Sequence, residues 1–362
     1  MFKGRIAKMG ILLVAILAMS LLALLSFRTF LSSPNGIESL ELIELGGVQQ
    51  WILINGEDRT KPVLLWLHGG PGSPLMPTAY HYDTELIKHF VVVHWDQRGA
   101  GKSYDPALTP EMLTTEQYIA DTYDLAQYLR QRFGAPKIYL IGHSWGSTLG
   151  ALTVARYPDL FYAYVGVSQP VSIPESYRVV YPRLLDQARA TGNQEALHEL
   201  EALGPPPWSS TESLTVFSKW NGIFGGSLRN ITPEEIDAVT MQSPVYTSED
   251  FEKAGQGIAF STEAMFNQLL QINLFEQAPR LDVPVYFFMG RHDGQAPDEL
   301  TERYYNALEA PAGKRLVWFE ESAHAPMYEE PAKFNQEMLH VLEETYPLGS
   351  ETLSGAIVGS NR

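Results

Sequence analysis

A serine stands at the centre of Gly142-His143-Ser144-Trp145-Gly146, between the apolar run Lys137 to Ile141 and a segment of small and apolar residues, Ser147 to Tyr157. At a sharp strand-to-helix turn the central residue of Gly-x-Ser-x-Gly is strained, and only small neighbours avoid a clash, so the serine is presented as a nucleophile. The pentapeptide alone occurs in many loops. Three further segments supply what a nucleophilic serine needs. His68-Gly69-Gly70-Pro71-Gly72 follows the apolar run Val63 to Leu67. Its consecutive glycines let backbone N–H groups approach a ligand, as an oxyanion hole requires, although taken alone they also read as a tight turn. Gly290-Arg291-His292-Asp293-Gly294 follows Val283 to Met289, and Glu321-Ser322-Ala323-His324-Ala325-Pro326 follows Arg315 to Phe319. A serine, then an acid, then a histidine, each on a loop just past an apolar run, are the parts of nucleophilic acyl transfer.

These loops need strands and helices to hold them. Two hairpin-like strands, Ser39 to Leu45 and Val48 to Ile54, are expected first, then strands at Val63 to Leu67 and Val91 to Trp95 with a short helix over Asp83 to His89 between them. Thr114 begins a helix to about Phe133, with Gln117 completing a capping box and Gly134 as the left-handed stop. Strands alternating with helices predict an α/β fold with a mostly parallel sheet flanked by helices. The alternation breaks after Phe161 to Val167. From Gln169 to Arg280 there are helical stretches such as Leu184 to Ala202, and proline punctuation at Pro205-Pro206-Pro207, which read as an inserted helical cap. The expected division is residues 1–33 as an anchor and linker, 34–168 and 281–347 as the two parts of the core, 169–280 as the cap, and 348–362 as a disordered tail.

A chain of 362 residues with 45% hydrophobic residues can bury a large core. Its net charge of −16 disfavours a nucleic-acid partner. No cysteine is present, so disulfides, thiolate metal sites and a cysteine nucleophile are excluded. No HExxH, paired-histidine cluster or GxGxxG occurs, and neither a metal nor another cofactor is implied. Gly101-Lys102-Ser103 imitates the end of a phosphate-binding loop, but Asp96 occupies the place of its first glycine, which argues against nucleotide binding.

HGGPG, Asp96-Gln97-Arg98-Gly99-Ala100-Gly101-Lys102-Ser103 and GHSWGS together resemble the prolyl aminopeptidase (proline iminopeptidase) branch of the α/β-hydrolases, over roughly Gly46 to Tyr346. The set is specific for fold and branch and much less so for substrate. In this reading Ser144 attacks a carbonyl carbon, His324 takes its proton and passes it to the leaving group, and Asp293 fixes the imidazole. The oxyanion is expected on the N–H of Trp145 together with that of Gly69 or Gly70, each donor contributing about 3 to 4 kcal/mol. Asp298 is a rival acid whose other role is the first turn of a helix. His292 reads as a loop residue, and His143 and His94 as hydrogen-bonded structural histidines. Asp96 and Arg98 are expected to organise their loop as an ion pair.

The resemblance implies cleavage of short peptides at a free N-terminus, and an ammonium in a low-dielectric space needs carboxylates beside it. In the resembled family one such glutamate lies in a Trp-Glu-Gly segment of the cap. Here Trp220-Asn221-Gly222 is the nearest match, and Asn221 carries no charge. Glu263 is a second cap acid that could compensate, its alternative being a solvated helix residue. An esterase or amidase acting on uncharged small substrates is the alternative activity, and a non-catalytic protein of the same fold a third reading.

Lys3, Arg5 and Lys8 precede an uncharged run, Met9 to Phe27, long enough to span roughly 28 Å as a helix. It is longer than a usual signal-peptide core and lacks a good cleavage site, so an uncleaved membrane anchor with the catalytic domain extracytoplasmic is expected. A cleaved signal followed by secretion and a buried core helix are the alternatives.

Overall fold

The computed structural model describes residues 34–347 except Ser209; the anchor expected at Met9 to Phe27 and the tail at 348–362 lie outside them. Eight strands form one sheet: β1 (Ile37–Leu45), β2 (Val48–Gly56), β3 (Val63–Leu67), β4 (Val91–Asp96), β5 (Ile138–His143), β6 (Phe161–Val167), β7 (Val285–Gly290) and β8 (Lys314–Phe319), in the order β1-β2-β4-β3-β5-β6-β7-β8. β1 and β2 are antiparallel to each other, and β2 is antiparallel to β4; every other pairing is parallel.

The parallel strands are apolar along their length because both faces are covered. In β3, Val63, Leu65 and Leu67 enter one core while Leu64 and Trp66 enter the other, the alternation of a pleated strand. The first core is closed by α1 (Thr115–Phe133) and α2 (Trp145–Arg156). Thr114 caps α1 by accepting from the Gln117 N–H, and Gly134, at φ 60°, ends it. The Gln117 side chain turns to Asp121 instead of back to the cap, so the reciprocal half of the capping box is not made.

Between β6 and β7 lie α3 (Ile173–Thr191), α4 (Gln194–Leu203), α5 (Thr211–Ile223), α6 (Pro233–Thr240) and α7 (Ser248–Leu269). The stretch Leu184 to Ala202 is two helices rather than one. Gly192 takes φ 68° and stops α3, and Asn193 starts α4 by accepting from the Ala196 N–H. α3, α4 and α5 share their own core around Trp208, Phe217 and Trp220. α8 (Asp298–Ala307) then packs against the first core, and α9 (Pro331–Thr345) covers the second. The helix expected over Asp83 to His89 is only a single turn, Leu86–Lys88, preceded by the short helix Ala79–Tyr82. No helix among the described residues is long and apolar enough to cross a membrane.

Register decides which loops meet. Leu67 pairs with Gly142, so the glycine-rich loop after β3 lies beside the turn after β5. Gly290 pairs with Phe319, which sets the loops carrying Asp293 and His324 side by side. All four loops leave the carboxyl ends of parallel strands, where open α/β sheets form their ligand crevices.

Candidate active site

Ser144 joins β5 to α2 with φ 53° and ψ −123°, a conformation that a non-glycine residue holds only under strain. The motif glycines are there because nothing larger fits. A Cβ on Gly142 would lie 2.2 Å from the Gly146 carbonyl oxygen, and one on Gly146 would lie 2.1 Å from that of Leu67. The turn is tied down by the Ser144 N–H, which donates to the Val167 carbonyl at 2.9 Å. Trp145 is the first residue of α2, so its N–H has no acceptor within the helix and is open to a ligand. Gly69 lies so close that a Cβ on it would be 3.1 Å from Ser144 Cβ, and Gly70 lines the same cavity as Ser144 and Trp145.

Asp293 and His324 come together from adjacent loops. His324 Nδ1 lies 2.9 and 2.8 Å from the two Asp293 carboxylate oxygens, and both residues are buried. Asp293 Oδ1 also accepts from the N–H groups of Gln295 and Ala296, each at 2.8 Å, which fixes the carboxylate. His324 Nε2 is buried and has no hydrogen-bond partner among the described residues, Ser144 Oγ included. Serine–histidine contacts of this kind tighten when substrate binds. His143 links the two loops: its Nε2–H donates to the His324 carbonyl at 2.7 Å, and the two rings are 5.1 Å apart. Burial pushes the pKa of His143 down to about 3. His94 is likewise hydrogen-bonded, to the buried carboxylate of Asp83. Asp298 sits in the first turn of α8 and pairs with Arg183 at 3.1 Å, away from the imidazole, and His292 is an exposed loop residue.

The cavity at Ser144 has a volume of about 190 Å³. The core contributes Gly70, Ser144 and Trp145; the cap closes it with Tyr177, Leu214, Phe217, Phe266 and Leu269, and Gln295 comes from the acid's loop. None of its lining residues is charged. The three cap residues expected at the substrate lie elsewhere. Trp220 is buried in the cap's own core, where its Nε1–H donates to Glu199 at 2.8 Å. Asn221 is buried against the acid's loop: a Cβ on Gly294 would be 1.9 Å from Asn221 Oδ1. A carboxylate at position 221 would therefore face that loop and not the cavity. Glu263 is exposed on α7 and accepts from Thr211 Oγ1 at 3.0 Å, the contact of a solvated helix residue.

The loop after β4 also differs from expectation. Arg98 pairs with Asp121 of α1 instead of Asp96, through Nε and Nη2 at 3.0 Å each, and both are buried. Asp96 accepts from the Lys102 N–H at 2.8 Å and from the Tyr246 hydroxyl, and burial pushes its carboxyl up to about 7. Lys102 Nζ reaches Asp250 of α7 at 2.7 Å, so this loop fastens the cap to the core. Sequence reasoning also missed Glu329. One of its oxygens accepts from the N–H groups of Arg229 and Asn230 in the cap, at 2.6 and 3.2 Å, and the other from Ala323 and Ala325, which flank His324, at 2.8 and 3.3 Å. Its position five residues after the histidine was the only available signal. Among the described residues no group of three or more His, Cys, Asp or Glu side chains converges to hold a metal.

A family model for the alpha/beta hydrolase fold matches residues 62–331. The chain belongs to the α/β-hydrolase family. A Bacillus subtilis (strain 168) protein named "Probable aminopeptidase YbaC" is 34% identical over 303 residues, covering 83% of this chain and 95% of its own. A proline iminopeptidase of Heyndrickxia coagulans is 27% identical over 277 residues, covering 75% and 87%. The crystal structure of a Mycobacterium smegmatis proline iminopeptidase superposes with a TM-score of 0.60 at 18% identity, covering 85% of this chain and 98% of the other, a likeness of fold. With such relatives the chain is an enzyme, a serine hydrolase of this fold related to proline iminopeptidases.

Proposed function

We propose that Ser144, His324 and Asp293 form a catalytic triad that releases one N-terminal residue, proline or small and apolar, from short peptides. The observation that carries the reading is the strained Ser144 turn opening into an uncharged, mostly apolar cavity of about 190 Å³ beneath the cap, beside a buried His324–Asp293 pair. Ser144 Oγ attacks the scissile carbonyl as His324 Nε2 takes its proton, while Asp293 holds Nδ1–H and stabilises the imidazolium. The oxyanion forms against the N–H of Trp145 and that of Gly69 or Gly70. His324 then protonates the leaving amine, and a water molecule, deprotonated in turn by His324, hydrolyses the acyl-enzyme. The names of the relatives support the aminopeptidase class.

One observation favours a second reading. The cavity lining carries no charge, and an ammonium placed there unpaired is costly, so an uncharged acyl ester or amide fits the same space. Cleavage of a proline arylamide compared with its N-acetylated form decides. Strong preference for the free amine supports the aminopeptidase; equal or faster cleavage of the blocked form selects the esterase or amidase. We further propose that the run Met9 to Phe27 anchors the chain in a membrane with the catalytic domain on the extracytoplasmic side, on the strength of its length and its cationic flank.

A further inference from the structure

We propose that Gln97 and His68 are positioning residues that aim the backbone N–H groups of the oxyanion hole, an inference that rests on the reading of Ser144 as nucleophile. Gln97 lies just past β4, fully buried, and its side-chain amide spans the two halves of the hole. Nε2–H donates to the His68 carbonyl at 3.0 Å, and Oε1 accepts from the Trp145 indole N–H at 3.2 Å. The Gln97 backbone N–H donates to His68 Nε2 at 3.1 Å, so that nitrogen carries no proton. His68 Nδ1 therefore carries it and donates to the Gly69 carbonyl at 2.8 Å, which also accepts from the Ser73 N–H at 3.2 Å. Burial pushes the pKa of His68 down to about 4, which keeps the ring in this neutral form at ordinary pH.

The consequence follows from the planar trans peptide, in which C=O and N–H point in opposite directions. Holding the His68 carbonyl fixes the direction of the Gly69 N–H. Holding the Gly69 carbonyl fixes that of the Gly70 N–H. Glycines have the least intrinsic preference for any one peptide orientation, so this pair of amides needs an external restraint. The same Gln97 amide holds the indole of Trp145, the residue whose backbone N–H is the other donor.

The test uses p-nitrophenyl butyrate, whose cleavage needs no recognition of an amine, and two variants, Gln97→Met and Gln97→Glu. A loosened hole lowers kcat by about 10- to 100-fold with KM within threefold of the parent, since misplacement of oxyanion donors acts on the transition state. A trifluoromethyl ketone, whose adduct with serine places an oxyanion in the hole, should weaken by the same factor, while 1-butanol, an uncharged competitive inhibitor that places no oxyanion there, keeps its Ki. The proposal is overturned if kcat stays within threefold of the parent in both variants. It is also overturned if ketone and butanol weaken together or both variants fail to fold, because Gln97 then acts on the fold as a whole. Ser144→Ala separates the underlying reading: if that variant still turns over the ester, the nucleophile assignment fails whatever Gln97 does.

Discussion

Removing the carboxylate of Glu329 should uncouple the cap from the His324 loop. Two of its four contacts, 2.6 Å to the Arg229 N–H and 2.8 Å to the Ala323 N–H, have the lengths of charge-assisted hydrogen bonds, each contributing about 1.5–3 kcal/mol. The two at 3.2 and 3.3 Å lie at the long limit and add little. The side chain is half-buried, which favours the lower end, so Glu329→Ala should cost about 2–4 kcal/mol. Glu329→Gln is the sharper probe. Each oxygen serves two N–H groups, so an amide satisfies one pair and turns its own NH₂ toward the other, and the loss should be comparable despite the unchanged shape. Urea unfolding measures the stability, and kcat on p-nitrophenyl butyrate reads the placement of His324, with a fall of about tenfold expected. A Glu329→Gln protein within about 0.5 kcal/mol of the parent, with kcat within twofold, would show that Glu329 does not tie the cap to the His324 loop, since that is the range of an uninvolved surface change.

Two buried groups make stability depend on pH in opposite directions. The imidazole of His143 titrates near 6.5 when unfolded and near 3 when folded, so between these values the unfolded chain binds the extra proton. Stability therefore falls as pH drops from 6.5 toward 3, by up to about 1.4 kcal/mol per unit from this group. Asp96 acts oppositely, because its folded value near 7 makes stability fall as pH rises from about 4 to 7. Over the shared range the two slopes oppose each other, so relative to the parent the urea midpoints at pH 4, 5, 6 and 7 should tilt toward greater stability at the acid end in His143→Gln and toward lesser stability there in Asp96→Asn; profiles parallel to the parent contradict both. The proposed anchor predicts that the full chain sediments with membranes and resists carbonate extraction, whereas a chain starting near Ser33 is soluble and active. A mature N-terminus at or after Ser20 rules it out.

The parts of the molecule that could be read from sequence are those where local chemistry and position coincide. Val63–Leu67 and Phe161–Val167 are strands with the expected bounds because a strand covered on both faces is an unbroken apolar run. The Ser144 turn was legible because its pattern is local: Gly142 answers to the Gly146 carbonyl four residues on, although Gly146 itself answers to Leu67 on a neighbouring strand. What escaped depends on partners distant in the chain. Arg98 pairs with Asp121 on α1, and nothing near Arg98 reports that the helix brings the acid there. Asn221 had the composition of a substrate contact, but its placement against Gly294 is set by how the cap docks. Gln97 lies in a motif that carries the family resemblance and Glu329 is an ordinary polar residue in sequence, but only the contacts of Gln97 with His68 and Trp145, and of Glu329 with four backbone N–H groups, reveal their places at the site.

Labelling with a fluorophosphonate, followed by mapping of the modified peptide by mass spectrometry with Ser144→Ala alongside, decides whether Ser144 is the nucleophile. Modification is expected on Ser144 alone, with no labelling of the variant and a fall in kcat on the order of 10⁴ or more with an intact fold. Near-parental turnover by Ser144→Ala, or a label on another residue, contradicts that assignment.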